Sequence, residues 1–199
     1  MTAIRTSQAR TLIWRAFLWI LACTIGGGVG LLAVTFLSYL APFNPYTVSG
    51  FAVSQLALGA LFGLLVALPQ SLLIRNGKVL GWRWTVFTAL GFSMALFFAN
   101  SVEAIVPQLR STLGYAIEGI AMGIWIGLAQ WLAIGHYLDR PVLWPTISGI
   151  AWAITLVIGG LIVSLTLLRG GFLYGLLTAY PFSILVDSRT RARTDIDSA

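Results

Sequence analysis

The chain contains very few charged residues, and this scarcity excludes most soluble folds. Charged side chains make up 9% of its 199 residues and apolar ones 58%, with a mean hydropathy of +0.91. A soluble domain carries about a quarter charged residues, so this sequence lacks the polar side chains that cover a wetted surface. We therefore expect a membrane protein in contact with the lipid bilayer.

Side chains that bind metals or act as nucleophiles are equally scarce. The chain has one cysteine, Cys23, and one histidine, His136. A single cysteine excludes an internal disulfide and a thiolate metal cluster. The sequence also has no HExxH pattern, and no serine or cysteine stands at a meaningful spacing from a histidine and an acid. We predict that the protein is not an enzyme and holds no metal.

Six long apolar runs occupy most of the chain. A helix needs about 20 residues to cross the hydrocarbon core, and only the last run is marginal. Because a spanning segment must satisfy its own backbone hydrogen bonds, the runs predict an all-α membrane domain of six transmembrane helices over 16–188. An N-terminal segment, 1–15, precedes it and a tail, 189–199, follows it. The runs are 16–40, 47–74, 84–106, 113–135, 142–168 and 170–187.

The basic residues are distributed unevenly along this pattern. Ten of them lie at the termini or in the loops after the second and fourth runs, and only Arg110 and Arg169 lie in the other loops. Positively charged loops stay in the cytoplasm, so we predict that both termini are cytoplasmic. We expect a bacterial inner membrane or an internal photosynthetic membrane. Topology thus explains the net charge of +6 without a nucleic-acid partner.

Tryptophans also cluster around the ends of the runs that we place at the cytoplasmic side. An amphipathic indole is stable at the level of the lipid headgroups, and we expect five tryptophans at this inner boundary. They are Trp14, Trp82, Trp84, Trp131 and Trp144.

A glycine motif occurs twice at a spacing of 60 residues and a third time in weaker form. Its positions share one stripe of a helix, and glycines on a stripe let two helices approach closely. We predict helix packing and helix-end hydrogen bonds from this motif. The alternative is that the glutamine amides line a cytoplasmic-side cavity for a small polar ligand. The copies are Gly59–Gly63–Gln70, Gly119–Gly123–Gln130 and Gly171–Gly175–Phe182.

The period also predicts how the helices are organised. Even-numbered runs carry the glycine stripe, and odd-numbered runs begin with a tryptophan or have one nearby. A fixed period means that one structural unit is used several times. We expect three tandem hairpins of the same sense, each formed by an odd helix and the even helix that follows it.

One segment resembles a known group of proteins. It reads Gly123-Ile-Trp-Ile-Gly127-Leu-Ala-Gln130-Trp131-Leu132 and is followed by a polar loop and Trp144. This pattern is similar to that of poorly characterised multi-pass membrane proteins of cyanobacteria and other phototrophic or filamentous bacteria. The resemblance covers the second to fifth helices, although the first copy reads Gln70-Ser71-Leu72. It implies a hairpin-repeat membrane fold and no catalytic residues.

A few polar residues lie within the outer halves of the runs. Ionisable groups inside a membrane are costly and indicate function. Asn100 and Glu103 share one face of the third helix, and Glu118 lies within the fourth. With Gln55 they form a candidate site for a small ligand or ion, near Arg110. The alternative is that Glu103 lies at the water interface.

Two functions remain open. The polar side chains are too few for a dedicated solute path, so we favour a non-catalytic membrane subunit or scaffold. It would pack with other membrane protein subunits, and lipid, carotenoid and chlorophyll are its candidate ligands, although no cofactor is required. The alternative is a small solute transporter, or a membrane-embedded binding component similar in size and topology to those of energy-coupling-factor importers.

Overall fold

A computed structural model describes residues 2–40, 47–74, 78–105, 111–135, 142–161 and 171–183. Nearly all of these residues are helical, which confirms the prediction of an all-α fold with six helices. The helices are α1 (Thr2–Leu40), α2 (Val48–Ser71), α3 (Lys78–Ile105), α4 (Thr112–Ile134), α5 (Leu143–Leu161) and α6 (172–183). The predicted tail, 189–199, lies outside the described residues.

Four of the helices are long and apolar enough to cross a membrane. Their apolar spans are Arg10–Leu40, Ser49–Ser71, Gly81–Val102 and Thr112–Ile134, and a shorter apolar stretch covers Leu143–Gly159. Large apolar side chains on these helices face outward, among them Leu32 and Phe36, each 64% exposed. Exposed apolar side chains of this kind are stable in lipid, so the length and composition of the helices indicate a membrane protein.

The first helix is longer than the apolar run that predicts it. α1 begins at Thr2 rather than near residue 16. Residues 2–15 contain neither glycine nor proline, and nothing in them therefore interrupts the helix before the apolar run. The predicted N-terminal segment, 1–15, is thus helical from Thr2 onward and continuous with the first span.

Side-chain caps set the start of two helices. The Thr47 hydroxyl accepts a hydrogen bond from the Gly50 amide at 3.1 Å, and the Ser111 hydroxyl accepts one from the Gly114 amide at 3.2 Å. These bonds satisfy backbone donors that have no partner within the first turn. They define where α2 and α4 begin.

The helices form a closed ring around a buried core. Each of the first four contacts the next one along the chain. α5 meets α6 through Ser148 and Tyr174, whose hydroxyl oxygens lie 3.3 Å apart. α6 then meets α1, where the Trp19 indole donates to the Thr178 hydroxyl at 3.0 Å. The last helix therefore packs against the first.

The glycine stripes of α2 and α4 each face the odd helix that follows in the chain. The stripe of α2 faces α3 and the stripe of α4 faces α5, so these contacts lie between the odd–even hairpins that the sequence predicts. A β-carbon added at Gly63 would lie 2.6 Å from the Ala89 Cα, and one added at Gly119 would lie 2.5 Å from the Ala153 Cα. Small residues on the odd helices complete these contacts, and the backbones approach closely.

The third stripe closes the ring. A β-carbon added at Gly175 would lie 2.8 Å from the Cβ of Cys23 on α1, and one added at Gly171 would collide with the Cys23 carbonyl. Gly171 has a φ of 154°, a backbone conformation that favours glycine. Both its backbone and its surroundings therefore require glycine. The glycine stripe of each even helix therefore faces the odd helix that comes next around the ring.

One close approach between α1 and α2 lies beside a proline. Pro69 lies inside α2 and has no N–H, so the Leu65 carbonyl lacks its usual helical donor. Gly26 of α1 lies over this carbonyl, since a β-carbon added there would be 2.7 Å from the oxygen. The glycine run of α1 therefore serves helix packing at this position.

Candidate functional site

Three tryptophans and a phenylalanine meet in the middle of the ring. Trp19, Trp84 and Trp144 come from α1, α3 and α5 and are fully buried. Their ring centroids are separated by 5.9 Å (Trp19–Trp84), 6.3 Å (Trp84–Trp144) and 6.4 Å (Trp19–Trp144). Phe182 of α6 stacks on Trp19 at 3.8 Å. We call the three tryptophans the tryptophan triad, and the near-equal distances give it approximate three-fold symmetry.

The two motif glutamines bind two members of the triad. The Trp84 indole N–H donates to the Gln70 side-chain oxygen at 3.0 Å, and the Trp144 indole N–H donates to the Gln130 oxygen at 2.9 Å. Both glutamines are almost completely buried, and each precedes its tryptophan by 14 residues. The repeated motif thus produces the same hydrogen bond twice.

Each glutamine also donates to the odd helix on its other side. The Gln70 amide nitrogen donates to the Cys23 sulfur at 3.1 Å, and the Gln130 amide nitrogen donates to the Thr88 hydroxyl at 3.3 Å. These acceptors lie one turn after the triad tryptophans of their own helices. Each amide therefore joins three helices, because its oxygen and its nitrogen both bind protein atoms.

The third position of the triad uses different side chains. Phe182 stands where the other copies have glutamine, and Trp19 donates instead to Thr178, one turn earlier on α6. The polar residue one turn after Trp144 is Ser148, which contacts the Tyr174 hydroxyl at 3.3 Å. In α6, two residues therefore share the role that one glutamine has in α2 and in α4. Thr178 binds the triad tryptophan of one neighbouring odd helix, and Tyr174 contacts the polar residue of the other.

A second aromatic layer adjoins the triad. Trp152 of α5 contacts Phe92 edge-on at 5.6 Å between ring centroids and Tyr174 at 5.3 Å. Within the described part of the chain, its buried indole N–H has no hydrogen-bond partner. The interior therefore continues as an apolar, aromatic core beyond the triad and its hydrogen-bond partners.

Two of the tryptophans expected at the inner boundary face the interior of the bundle. Trp84 and Trp144 are fully buried, and a glutamine satisfies each indole N–H there. Trp14 and Trp82 are each 59% exposed, and Trp131 is half-buried.

The sequence reasoning overlooked Trp19. A signal for it exists, because Trp19–Cys23, Trp84–Thr88 and Trp144–Ser148 share one four-residue spacing. This spacing places a small polar or sulfur-bearing side chain one turn after each triad tryptophan. The odd helices therefore carry a repeat of their own.

Replacing Gln130 by leucine should destabilise the fold through the Trp144 indole. The substitution keeps most of the side-chain volume but leaves a buried N–H unpaired, which costs about 1–3 kcal/mol. Unfolding in detergent, followed by tryptophan fluorescence, measures this loss. Gln55→Leu is the matched control, with a smaller loss expected at its half-buried position.

A double substitution tests whether the loss comes from the unpaired indole. Trp144→Phe removes the N–H itself, so Gln130→Leu should cost less in the Trp144→Phe background than in the wild type. Equal costs in both backgrounds would contradict the proposed role of the hydrogen bond.

The structure brings together two of the four predicted outer-site residues. The Asn100 amide donates to the Gln55 oxygen at 2.8 Å and to the Leu96 carbonyl at 2.9 Å. Glu118 is half-buried on α4. The Glu103 side chain and Arg110 lie outside the described residues, as does the predicted Glu103–Glu118–Arg110 cluster.

Glu118 lines a cavity between α3 and α4. The cavity has a volume of about 100 Å³. Phe98 and Trp125 in its wall stack nearly parallel, with 5.1 Å between ring centroids. Its lining residues are Ala95, Phe98, Ala99, Val102, Gly114, Tyr115, Ile117, Glu118, Ala121, Met122 and Trp125. The cavity therefore combines one carboxylate with aromatic rings and an otherwise apolar wall.

A larger groove lies between α4 and α5. Its volume is about 430 Å³, and several residues along it are exposed, including Val142 (73%) and Ile150 (56%). It is lined by Ile120, Ile124, Leu128, Trp131, Val142, Pro145, Thr146, Gly149 and Ile150. This composition suits a hydrocarbon chain rather than a polar solute.

Neither a metal centre nor a relative suggests a chemistry for these sites. Among the described residues, no three histidine, cysteine, aspartate or glutamate side chains are grouped to hold a metal ion, and His136 lies outside them. The chain matches no protein-family model, no curated protein and no solved structure.

Proposed function

We propose that the protein is a non-catalytic integral membrane subunit, a compact helical body that packs with other subunits in a larger membrane complex. The observation that supports the proposal is that packed and hydrogen-bonded side chains fill the interior of the bundle. The tryptophan triad fills its middle, and the Gln70 and Gln130 amides bind neighbouring helices. Polar groups that satisfy one another hold a fold together and provide no path for a solute.

The proposal includes a topology and a membrane. Both termini lie in the cytoplasm of a bacterial cell, at the inner membrane or an internal photosynthetic membrane, because ten of the twelve basic residues fall on that side. Trp84 and Trp144 follow the two cytoplasmic loops, and the triad therefore closes the cytoplasmic half of the bundle.

We further propose that the chain consists of three tandem hairpins and belongs to the group that its Gln-Trp-Leu segment resembles. The three-fold pattern of the triad supports repeated units, since α1, α3 and α5 supply equivalent residues. The close glycine contacts then form between neighbouring units rather than inside one.

In this proposal, the groove between α4 and α5 holds a lipid or pigment chain. Its volume falls in the range of ligand sites, about 300–1,000 Å³, and its lining is almost entirely apolar. Trp131 belongs to the lining, and an indole near the headgroup level suits the polar end of a membrane molecule. A carotenoid, a chlorophyll tail or an acyl chain meets these requirements.

The experiment that tests this function is a gentle detergent purification at native expression. Size, absorbance spectrum and mass spectrometry are read on the same chromatographic peak. We expect a large particle with stoichiometric partner chains, and with pigment bands if the groove holds a pigment. A lone, colourless particle would contradict the proposal.

Filling the groove tests where the lipid or pigment binds. Ile150→Trp places a bulky ring in the exposed wall, and we expect at least fivefold less co-purified lipid or pigment because the groove then lacks room. Leu176→Trp, an exposed apolar position on α6 outside the groove, is the control and should leave the amount unchanged. Equal amounts in both variants would place the bound molecule elsewhere.

A substitution in the glycine stripes is less informative about assembly. Gly123 faces the backbone of Ser148 and Gly149 in the same chain, so Gly123→Leu disrupts the monomer before it affects any partner. Groove residues avoid this difficulty.

A second function is supported by one observation, the carboxylate in the α3–α4 cavity. A transporter or membrane-embedded binding component would use Glu118 as the outer-half site, with Gln55 and Asn100 on the neighbouring helix pair. This function requires movement of a solute across the membrane, whereas the scaffold function requires only partners.

A further inference from the structure

The groove between α4 and α5 has a buried floor between exposed apolar walls. Pro145 and Gly149 of α5 are buried and form the floor, whereas Ile150 beside them is exposed. A β-carbon added at Gly149 would lie 3.4 Å from the Ile124 side chain and 3.5 Å from the Ile120 carbonyl oxygen. The absence of a side chain at Gly149 therefore keeps the middle of the groove open.

The length of the groove matches one leaflet of a bilayer. On α4 the lining extends from Ile120 to Trp131, which is about 16 Å at a rise of about 1.5 Å per residue. On α5 it extends from Val142 to Ile150, about 12 Å by the same rise. The hydrocarbon core is about 30 Å thick, and one leaflet supplies about half of it. The groove therefore fits the acyl chain of a lipid, whereas a carotenoid is a rigid molecule that extends through both leaflets.

Trp131 supplies a hydrogen-bond donor at one end of this groove. A β-carbon added at Gly135 would lie 2.6 Å from the indole nitrogen, which places the N–H toward the C-terminal end of α4 and away from Ile120. Among the described residues, no acceptor binds this N–H. Because an indole is stable at the level of the headgroups, the N–H is placed to donate to the ester carbonyl at the head of an acyl chain.

The charges near the groove favour an anionic headgroup. In the proposed topology the Trp131 end faces the cytoplasm, where ten basic residues and four acidic ones lie. One of the basic residues, Arg140, precedes the lining residue Val142 by two positions in the sequence. Each basic residue near the surface strengthens binding of anionic lipid about fivefold. No charged side chain is among the described lining residues, so the groove itself complements an uncharged chain.

We propose that the groove binds one acyl chain of an anionic phospholipid from the cytoplasmic leaflet, with the Trp131 N–H donating to the ester carbonyl. The end of the chain then lies near Ile120. The inference deepens the proposed function, on which it rests for the topology, and it selects the acyl chain over the pigments.

Photo-cross-linking in nanodiscs tests the position of the chain on the purified full-length protein. The probes are phosphatidylglycerols that carry a diazirine either near the ester or near the end of the chain. We expect the first probe to label residues around Trp131 and the second to label residues around Ile120. Ile150→Trp should lower both yields at least fivefold, and Leu176→Trp on α6 should leave them unchanged.

Two results of this experiment would overturn the proposal. One is equal labelling of the groove and of the exposed face of α1, which includes Leu32 and Phe36, because lipid would then surround the protein without a preferred site. The other is equal labelling of the groove in Ile150→Trp and Leu176→Trp. A phosphatidylcholine probe should label the groove at least fivefold less, and equal labelling would refute the anionic headgroup.

A matched variant and lipid test the hydrogen bond. Trp131→Phe keeps an aromatic ring in the lining and removes the N–H, so the probe concentration for half-maximal labelling should rise about two- to tenfold. An ether-linked phosphatidylglycerol lacks the carbonyl and should bind the wild type equally weakly. Trp131→Phe should then bind the ester and the ether lipid alike. Trp82→Phe, at an exposed position, is the control, and an unchanged thermal midpoint shows that each variant is folded. The hydrogen bond is wrong if Trp131→Phe prefers the ester as strongly as the wild type does.

These measurements separate the inference from the scaffold function, because labelling of the purified chain requires no partner subunit. A complex with stoichiometric partner chains but without labelling of the groove contradicts only the inference. Labelling of the groove in a chain that purifies alone supports the inference and contradicts only the scaffold. A carotenoid bound once per chain that blocks the labelling would assign the groove to a pigment and overturn the acyl-chain proposal.

Discussion

Replacing Trp19 by alanine should cost about 3–5 kcal/mol of folding free energy, the range for removal of a large buried aromatic side chain. Trp19 is fully buried. It stacks on Phe182 at 3.8 Å and contacts both other members of the triad. Its indole also donates to Thr178. Alanine would leave a cavity where four helices meet and would leave the link between α6 and α1 without its hydrogen bond.

The loss is measurable as a lower unfolding midpoint in detergent, titrated with heat or with sodium dodecyl sulfate. Trp82→Ala is the matched control, because Trp82 is 59% exposed and should lose less than about 0.5 kcal/mol. Trp84→Ala and Trp144→Ala should resemble Trp19→Ala, since the triad members have similar surroundings. Similar midpoints for Trp19→Ala and Trp82→Ala would mean that the triad does not stabilise the bundle.

Replacing Gly119 by alanine should destabilise the protein by about 3 kcal/mol, the upper end of the cost of overpacking. The added methyl group would lie 2.5 Å from the Ala153 Cα and 2.6 Å from the Trp152 carbonyl oxygen. These neighbours are backbone atoms, which move only if α4 and α5 separate. Separation would also strain the bond between Gln130 and Trp144 near the end of the same helix pair.

A second glycine-to-alanine change provides the control. A β-carbon added at Gly28 would meet no atom within 4 Å. Alanine favours the helix over glycine by about 1 kcal/mol, so Gly28→Ala should leave stability unchanged or raise it. The opposite signs of the two effects are the decisive result. If Gly119→Ala were as stable as Gly28→Ala, the close approach of α4 and α5 would be refuted.

The sequence predicted the helices and the existence of the repeat well. Long apolar runs have one stable form in a membrane, and their number matches the six helices of the structure. The stripe positions Gly59, Gly63, Gly119 and Gly123 do lie where two backbones approach. These features depend on residues that are close in sequence, and they can therefore be predicted from a single sequence.

The partners of each repeat were not predictable in the same way. A glycine stripe indicates that another helix packs closely against it, but it does not indicate whether that helix is the preceding or the following one. The burial of Trp84 and Trp144 was not predictable for a related reason, because an indole at the end of an apolar run fits the protein surface or the core equally well. The glutamine oxygens of Gln70 and Gln130 decide in favour of the core.

The candidate site was predicted in part. Asn100 and Gln55 were expected in one group and do form a hydrogen bond between α2 and α3. The aromatic rings beside Glu118 were not foreseen, since Phe98 and Trp125 belong to different helices and meet only through the packing of α3 on α4.

By itself the sequence determined the membrane character, the helices and the repeated glycine and glutamine positions, because each follows from composition or from the geometry of a single helix. The tertiary structure alone decided that α6 returns to α1, that Trp19 completes the triad, and that Glu118 faces an aromatic cavity. Those features join residues up to 159 positions apart. A contact between distant residues depends on the order of helices around the ring, and no local pattern encodes that order.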